Sequence, residues 1–475
     1  MNQTRRNLLL SSLFGGGYLG IRALAAGIPA SVLLGSRTAH AGPCTSSGAL
    51  PQYVIFTTSG NGDPLNANCP GSYGVSSNLY NCPAAAGAGG ADMTPMPMAV
   101  GGQMYQAAAP WAQMKNLDPT RTQFWHMMTN TVVHPFETNV LKLQGAIYED
   151  EMFASFLSKN TQSCLNTIQP QPVSVGAASP SEALSYQGGA LPTIPPSALQ
   201  KTLVLNATSS INQKTLPSLR ASALTNLQSV LYPASSVTGA QNDFVTTYLA
   251  AQTALQKLDP SILASLADLS TESSKLPVQA QIDAAVALIR MNITGVVAIH
   301  IPFGGDNHHD PGYAAESLQT TAACQSLDYL LGQLQMYKTV DGRVMSDAVT
   351  IVSLNVFGRT LEYLTSNGDG RQHNLNHHVS FVIGKPFKGG VYGAVTQLTG
   401  NNDFGCVNMN AKTGAGTTTT GSGVIDAVDT FAAWGMTVAT GVGVDPAVVM
   451  GSTGISTTTG AGAKGTATVV TGALA

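Results

Sequence analysis

AVTIVSLNVFGRTLEYLTSNGDGRQHNLNHHVSFVIGKPFKGGVYG, from Ala348 to Gly393, decides how this chain is read. Two apolar, β-branched runs, Ala348–Leu354 and Val379–Gly384, flank a polar loop. Runs this continuous, without apolar/polar alternation, belong to strands covered on both faces. The loop carries three of the chain's nine histidines, His373, His377 and His378, with Arg359, Asp369 and Arg371. Open α/β sheets bind ligands outside the carboxyl ends of their strands, so a His/Asp-rich loop there is the first candidate for a metal or catalytic site.

The same unit recurs outward from this stretch. Tyr53–Thr58 (YVIFTT) runs into the turn Ser59-Gly60-Asn61-Gly62-Asp63-Pro64. Phe124–Thr129 (FWHMMT) is followed by Thr131 and His134, and Val296–Pro302 by Asp306, His308, His309 and Asp310. Pro172–Gly176 and Leu203–Ala207 are shorter strand candidates. Leucines at helical spacing (Leu224, Leu227, Leu231) mark a helical insertion at about 210–280. Ile282–Met291, Ala314–Tyr337 and Asp426–Thr440 read as further helices, as does Tyr105–Met114 after a long loop from Asn66 to Gln103. Strand and helix alternate, which predicts an α/β domain over 42–451 with a mainly parallel sheet covered by helices on both faces. The Gly/Thr-rich residues 452–475 read as a flexible tail.

In such a sheet the carboxyl ends of four strands share one edge, bringing Asp63, Thr131, His134, Asp306, His308 and the 369–378 histidines into one neighbourhood. Mixed Asp and His donors suit zinc, manganese or iron, and calcium where oxygens dominate. Plainer roles stand beside these. His126 and His300 lie inside apolar strands and read as hydrogen-bonded core histidines. Asp63 in its NGDP turn serves the turn as readily as a metal. Asp369 reads first as a turn residue, and in an extended segment only one of His377 and His378 faces a site.

The amino terminus has the arginine pair Arg5-Arg6, an apolar Gly-rich stretch and Ala39-His40-Ala41. That is a twin-arginine export signal over 1–41, directing the chain to the periplasm or outside the cell. Arg22 interrupts the apolar run, so no stable membrane span is expected after cleavage. Removing the four signal arginines, which have no acidic counterpart there, takes the formal charge from −3 to −7. Only 10% of residues are charged, against a typical ~25%. No basic patch of the kind nucleic acid requires is present. The six cysteines all follow the signal, which permits disulfides; Cys69 and Cys82 are the candidate pair.

Several motifs together resemble the exported bacterial family called domain of unknown function 1501, related to the alkaline phosphatase/sulfatase superfamily. They are Gly60-Asn61-Gly62-Asp63-Pro64-Leu65-Asn66, Gly304-Gly305-Asp306-Asn307-His308, Phe357-Gly358-Arg359-Thr360 and Lys388–Gly393 (KGGVYG). The resemblance spans roughly Tyr53 to Gly451 and implies an alkaline-phosphatase-like fold. It implies a divalent metal (zinc, calcium or manganese) on Asp63, Asp306, His308 and His373, to which the loop's own His377 is added as a further candidate ligand, and hydrolysis of an anionic phosphate or sulfate ester. Arg359 contacts the substrate anion or braces the loop, and Thr131 is the nearest substitute for a nucleophilic hydroxyl. The chain departs from the family pattern in three places. Asn355-Val356 stands for Ser-Glu, Gln372 for the Asp before His373, and Val132-Val133-His134 for Arg-Ser-His. These departures set a second expectation beside the hydrolase: a catalytically degenerate metal-binding or structural protein on the same fold.

Overall fold

The computed structural model describes residues 50–73, 89–143, 152–167, 169–176, 182–186, 189–196, 277–361, 370–399, 403–445 and 468–475. The signal, Leu203–Ala207, most of the helical insertion, Asp369, Cys44, Cys82 and most of the tail lie outside them.

The main sheet is built from β1 (Tyr53–Ser59), β2 (Thr122–Met127), β3 (Val173–Ser174), β4 (Val296–Ile299), β5 (Val349–Asn355), β8 (His378–Ile383) and β9 (Gly390–Tyr392). A small ladder pairs β6 (Gly358–Arg359) with β7 (His373–Asn374). The sheet order is β9-β2-β8-β5-β1-β4-β3. Six strands point one way, and β8 alone is antiparallel to both its neighbours. That reversal matters for the site. Because β8 runs backwards, the connection from β5 to β8 begins and ends at the edge where the parallel strands end.

Both faces of the sheet are covered, which explains the unbroken apolar runs. Along β1, Tyr53 and Ile55 join one core with residues of α2 (Pro277–Arg290) and α3 (Ala314–Met336). Val54 and Phe56 point the other way, into a core with α1 (Phe153–Leu165) and α4 (Thr430–Gly441). Val296/Val297 and Val352/Ile351 divide between the two cores in the same manner. Fully burying one such side chain contributes roughly 1.5–3 kcal/mol. Among the described residues no helix is long and apolar enough to cross a membrane.

Three expectations are corrected. The expected helix Tyr105–Met114 is strand in its first four residues and helix only in its next four. Gln103–Ala108 forms a hairpin with Pro95–Val100 across a Gly101-Gly102 turn, and only Ala109–Ala112 is helical. Both glycines have positive φ (58° and 81°), the turn signal that outweighs the local helical pattern. Cys69 is a free, buried thiol beside Ser72, not half of a pair with Cys82; among the described residues Cys164 is disulfide-bonded. The last eight residues also do not trail away. Val470 and Ala473 are buried, Leu474 bridges to Phe387, and the carbonyl of Ala473 accepts from Gln123 and Lys388.

Candidate metal centre

Four loops at one edge of the sheet deliver the site. The turn after β1 is its frame. Gly62 has φ +69°, and a Cβ there would lie 2.0 Å from the Phe357 ring, so only glycine lets these segments meet. The Arg359 side chain is fully buried and gathers the frame. Its Nη2 donates to the carbonyls of Asn61 (2.6 Å) and Gly305 (3.2 Å) and to Asp306 Oδ1 (2.8 Å); its Nε donates to the carbonyl of Gly62. Arg359 therefore braces the loops, the second of the two roles expected of it. Across the β6–β7 ladder Arg359 pairs with His373, so the FGRT turn places that histidine. Gly370 lets this strand pass against 307–308, where a Cβ would sit 2.3 Å from the Asn307 carbonyl. A fully buried Arg371–Glu316 pair (2.6 Å) ties the same segment to α3.

Asp306 stands at the centre with its side chain 48% exposed. His308 Nε2 lies 2.9 Å and His373 Nε2 3.7 Å from its Oδ1; His134 Nε2 lies 3.5 Å from its Oδ2. The Nε2 atoms of His308 and His373 are 3.0 Å apart. Donor atoms of His134, Asp306 and His373 all lie within 4.8 Å of one another, a triad able to hold a metal ion. Ligand atoms on a tetrahedral zinc, with bonds of about 2.0–2.1 Å, lie about 3.3 Å apart; the triad's two carboxylate–imidazole separations, 3.5 and 3.7 Å, are slightly longer.

The opposite ring nitrogens decide the chemistry. His134 Nδ1 faces the Gly60 carbonyl at 2.7 Å, and His373 Nδ1 faces the Val132 carbonyl. A carbonyl only accepts, so each Nδ1 carries the proton and each Nε2 presents a lone pair toward Asp306. This is the outer arrangement of metal-binding histidines. His134 Nε2 is buried and makes no hydrogen bond among the described residues, an orphaned acceptor that a cation would satisfy. His308 differs, because its Nδ1 faces the side-chain amide of Gln372 at 2.8 Å. An amide can turn to accept or donate, so His308 is not locked in one tautomer.

Electrostatics agree. Burial pushes the Asp306 carboxyl up, but hydrogen bonding and charge from Arg359, with His308 and His134, outweigh it and hold the group below the ordinary carboxylate range. Burial depresses the His373 imidazole, and the charges of Arg359, His308 and His134 push it further down; the Val132 carbonyl opposes them. An ionised carboxylate facing a neutral imidazole is the state a divalent cation requires.

Of the expected ligands, Asp306, His308 and His373 meet here; Asp63 and His377 do not. Both Asp63 oxygens are engaged, Oδ1 by the Ser59 hydroxyl (2.6 Å) and Oδ2 by the Phe303 amide (2.6 Å). The Phe303 ring stacks on Trp111 at 5.3 Å, which fixes that amide. Burial raises Asp63 to about 6. Asp63 organises the turn and binds within it. His377 is fully buried and stacked on His126 at 5.1 Å. The His126 Nε2–H donates to the Pro70 carbonyl, its Nδ1 accepts from His377 Nε2 (2.9 Å), and His377 Nδ1 accepts from Asn66 (3.2 Å). Asn66 in turn pairs with both backbone groups of Arg359. Thr131 is buried and its hydroxyl has no hydrogen bond among the described residues, so nothing links it to the centre as a nucleophile. Asp310 accepts from the amides of Ala315 and Glu316 and starts α3.

His134 is the member that sequence reasoning left undecided. Its one signal was its place in a loop at the end of a strand. Neither a protein-family model nor a curated protein matches the sequence of this chain.

Proposed function

We propose that this chain is an exported, metal-dependent hydrolase of anionic phosphate or sulfate esters, with one metal ion per chain on an alkaline-phosphatase-like fold. One observation carries the reading: lone pairs of His134 and His373, each fixed by an acceptor-only carbonyl behind it, point at the partly exposed carboxylate of Asp306. Two nitrogens and one oxygen favour zinc, with manganese or iron next, and disfavour calcium, which takes 6–8 oxygens. A divalent ion there supplies positive charge that polarises an ester oxygen. His134, Asp306 and His373 hold it. His308, with a side chain 39% exposed and a partner that can switch, moves the proton at its Nε2. Arg359 keeps the two loops and Asp306 in register. The attacking group in this reading is water, whose proton passes to His308 Nε2 as the ester bond to the leaving group breaks.

The export assignment rests on the Arg5-Arg6 signal, and the disulfide at Cys164 supports an oxidising compartment. A second reading, a metal-binding protein without turnover, draws on Asp63 and Thr131 standing apart from the centre. Protein purified without chelator should contain about one zinc per chain by elemental analysis. Generic phosphate and sulfate esters should be hydrolysed by the wild type and not by Asp306→Ala or His308→Ala. Bound zinc without turnover selects the second reading; absence of any metal refutes both.

A further inference from the structure

The loops that supply the metal centre also carry an apolar surface. Single exposed apolar side chains are ordinary on a protein; a group of them beside a polar site marks a place where something binds. Val132, Val133 and Phe136 flank His134 in the chain and are exposed, Phe136 by half. Leu375, two residues after His373, and Val428 are exposed as well. Hydrogen bonds draw these three segments together and to the centre. The Val132 carbonyl accepts from His373 Nδ1, and the Val133 carbonyl from the Phe136 amide at 3.1 Å. Asn130 joins the other two segments: its amide donates to the Leu375 carbonyl at 3.3 Å and its Nδ2 to the Val428 carbonyl at 3.3 Å. The ligand histidines themselves are backed by hydrocarbon. The Phe357 ring is fully buried, with its centroid 4.0 Å from that of His373 and 5.0 Å from that of His134.

We infer that this surface receives the apolar alcohol part of the ester, so that the substrates are alkyl or aryl esters whose anionic end meets the metal. The inference rests on the ester-hydrolase reading above and names its substrate class. Two features select this occupant. The surface is continuous in the chain with His134 and His373, so an ester whose oxyanion reaches the metal has these segments beside its alcohol part. The polar side chains among them are already committed within the fold, Asn130 to Val428 and Asn374 to Phe404 and Asn376. A sugar, whose hydroxyls need partners, therefore gains less here than a hydrocarbon does.

The test is calorimetric. Zinc-loaded wild type, Phe136→Ser and Leu375→Ser are titrated with methylphosphonate and hexylphosphonate, whose P–C bond is not hydrolysed. Methyl- and hexylsulfonate in parallel tell a phosphate site from a sulfate site. A fully buried methylene strengthens binding about fourfold; at roughly twofold each on a half-open face, hexylphosphonate should bind the wild type about 30-fold more tightly than methylphosphonate. Each variant should lose about threefold to tenfold of that advantage. Its affinity for the methyl compound should stay at the wild-type level, which shows the centre intact. Equal affinity of the wild type for methyl and hexyl compounds overturns the inference, as does a hexyl advantage undiminished in both variants. A wild-type dimer in sedimentation that Phe136→Ser converts to monomer assigns the surface to a second copy of the chain and also overturns it. Zinc in place with no phosphonate or sulfonate of either length bound refutes the ester reading itself, and the inference with it.

Discussion

Two groups of three histidines lie at the same edge of this sheet, and they do opposite things. The outer group, His134, His308 and His373, surrounds Asp306, and its side chains are 20–39% exposed. The inner group, His126, His377 and His378, is buried among strands. Each inner ring satisfies its nitrogens within the fold: Pro70, Asn66 and the His126–His377 contact account for two rings, and Ser380 Oγ at 3.1 Å meets His378. In the outer group the far nitrogens are satisfied and the near ones aim at a single carboxylate. What separates the groups is where the second nitrogen points, since residue type and proximity to the edge are the same in both. One group is built to stay neutral and hold backbone in place; the other is built to share a cation.

Acid is the strongest way to divide them. Burial depresses His126 to about 4 and His378 to about 3, and drives His377 well down, so folding favours their neutral form. That contribution is intact above pH 6.5 and is lost as pH falls toward 4 and 3. With each of His126 and His378 giving up roughly 2 kcal/mol by pH 5, urea unfolding midpoints should fall steeply between pH 6.5 and 5. Asp63, raised to about 6, opposes this, because it strains the fold when ionised and is relieved as pH drops. With chelator present, His134→Ala should show the same slope as the wild type; a flattened slope would place the titration in the outer group.

The brace between the groups comes next. Arg359 hydrogen-bonds the outer Asp306, and its backbone is held by Asn66 from the inner chain. Arg359→Ala leaves the Asn61, Gly62 and Gly305 carbonyls without their donor. It should cost about 3–5 kcal/mol, measured by urea unfolding, and remove zinc binding. A loss below about 1 kcal/mol would mean that the guanidinium does not organise the frame.

The smallest effect tests the one unlocked member. Gln372→Asp places an acceptor-only group behind His308, fixing it as a lone-pair donor. With His308 added as a fourth donor to the three that hold the ion, zinc should bind about tenfold more tightly, about 1.4 kcal/mol, while ester hydrolysis falls as His308 loses its freedom to move a proton. Tighter binding with undiminished turnover would remove His308 from proton transfer.

Much of this was legible in the residues. The continuous apolar runs gave a sheet covered on both faces, and the loops after β4 and β5 gave Asp306, His308 and His373. Strand direction was not legible: a buried run such as Val379–Gly384 looks the same in either direction, and only the fold shows β8 reversed. For the same reason His377 and His378 could not be sorted from His373. Which way a ring faces depends on Asn66 and Pro70, far away in the chain. Asp63 matched a motif, yet its oxygens are taken by Ser59 and Phe303, a pairing that spacing does not reveal.

The most direct test of the account is calorimetric titration of metal-free protein with zinc at pH 7.5, for wild type, His373→Ala and His377→Gln. Wild type and a folded His377→Gln should each bind one zinc per chain, and His373→Ala should lose at least 100-fold in affinity. Undiminished binding by His373→Ala, or loss of the site in a folded His377→Gln, would contradict the division between outer and inner histidines.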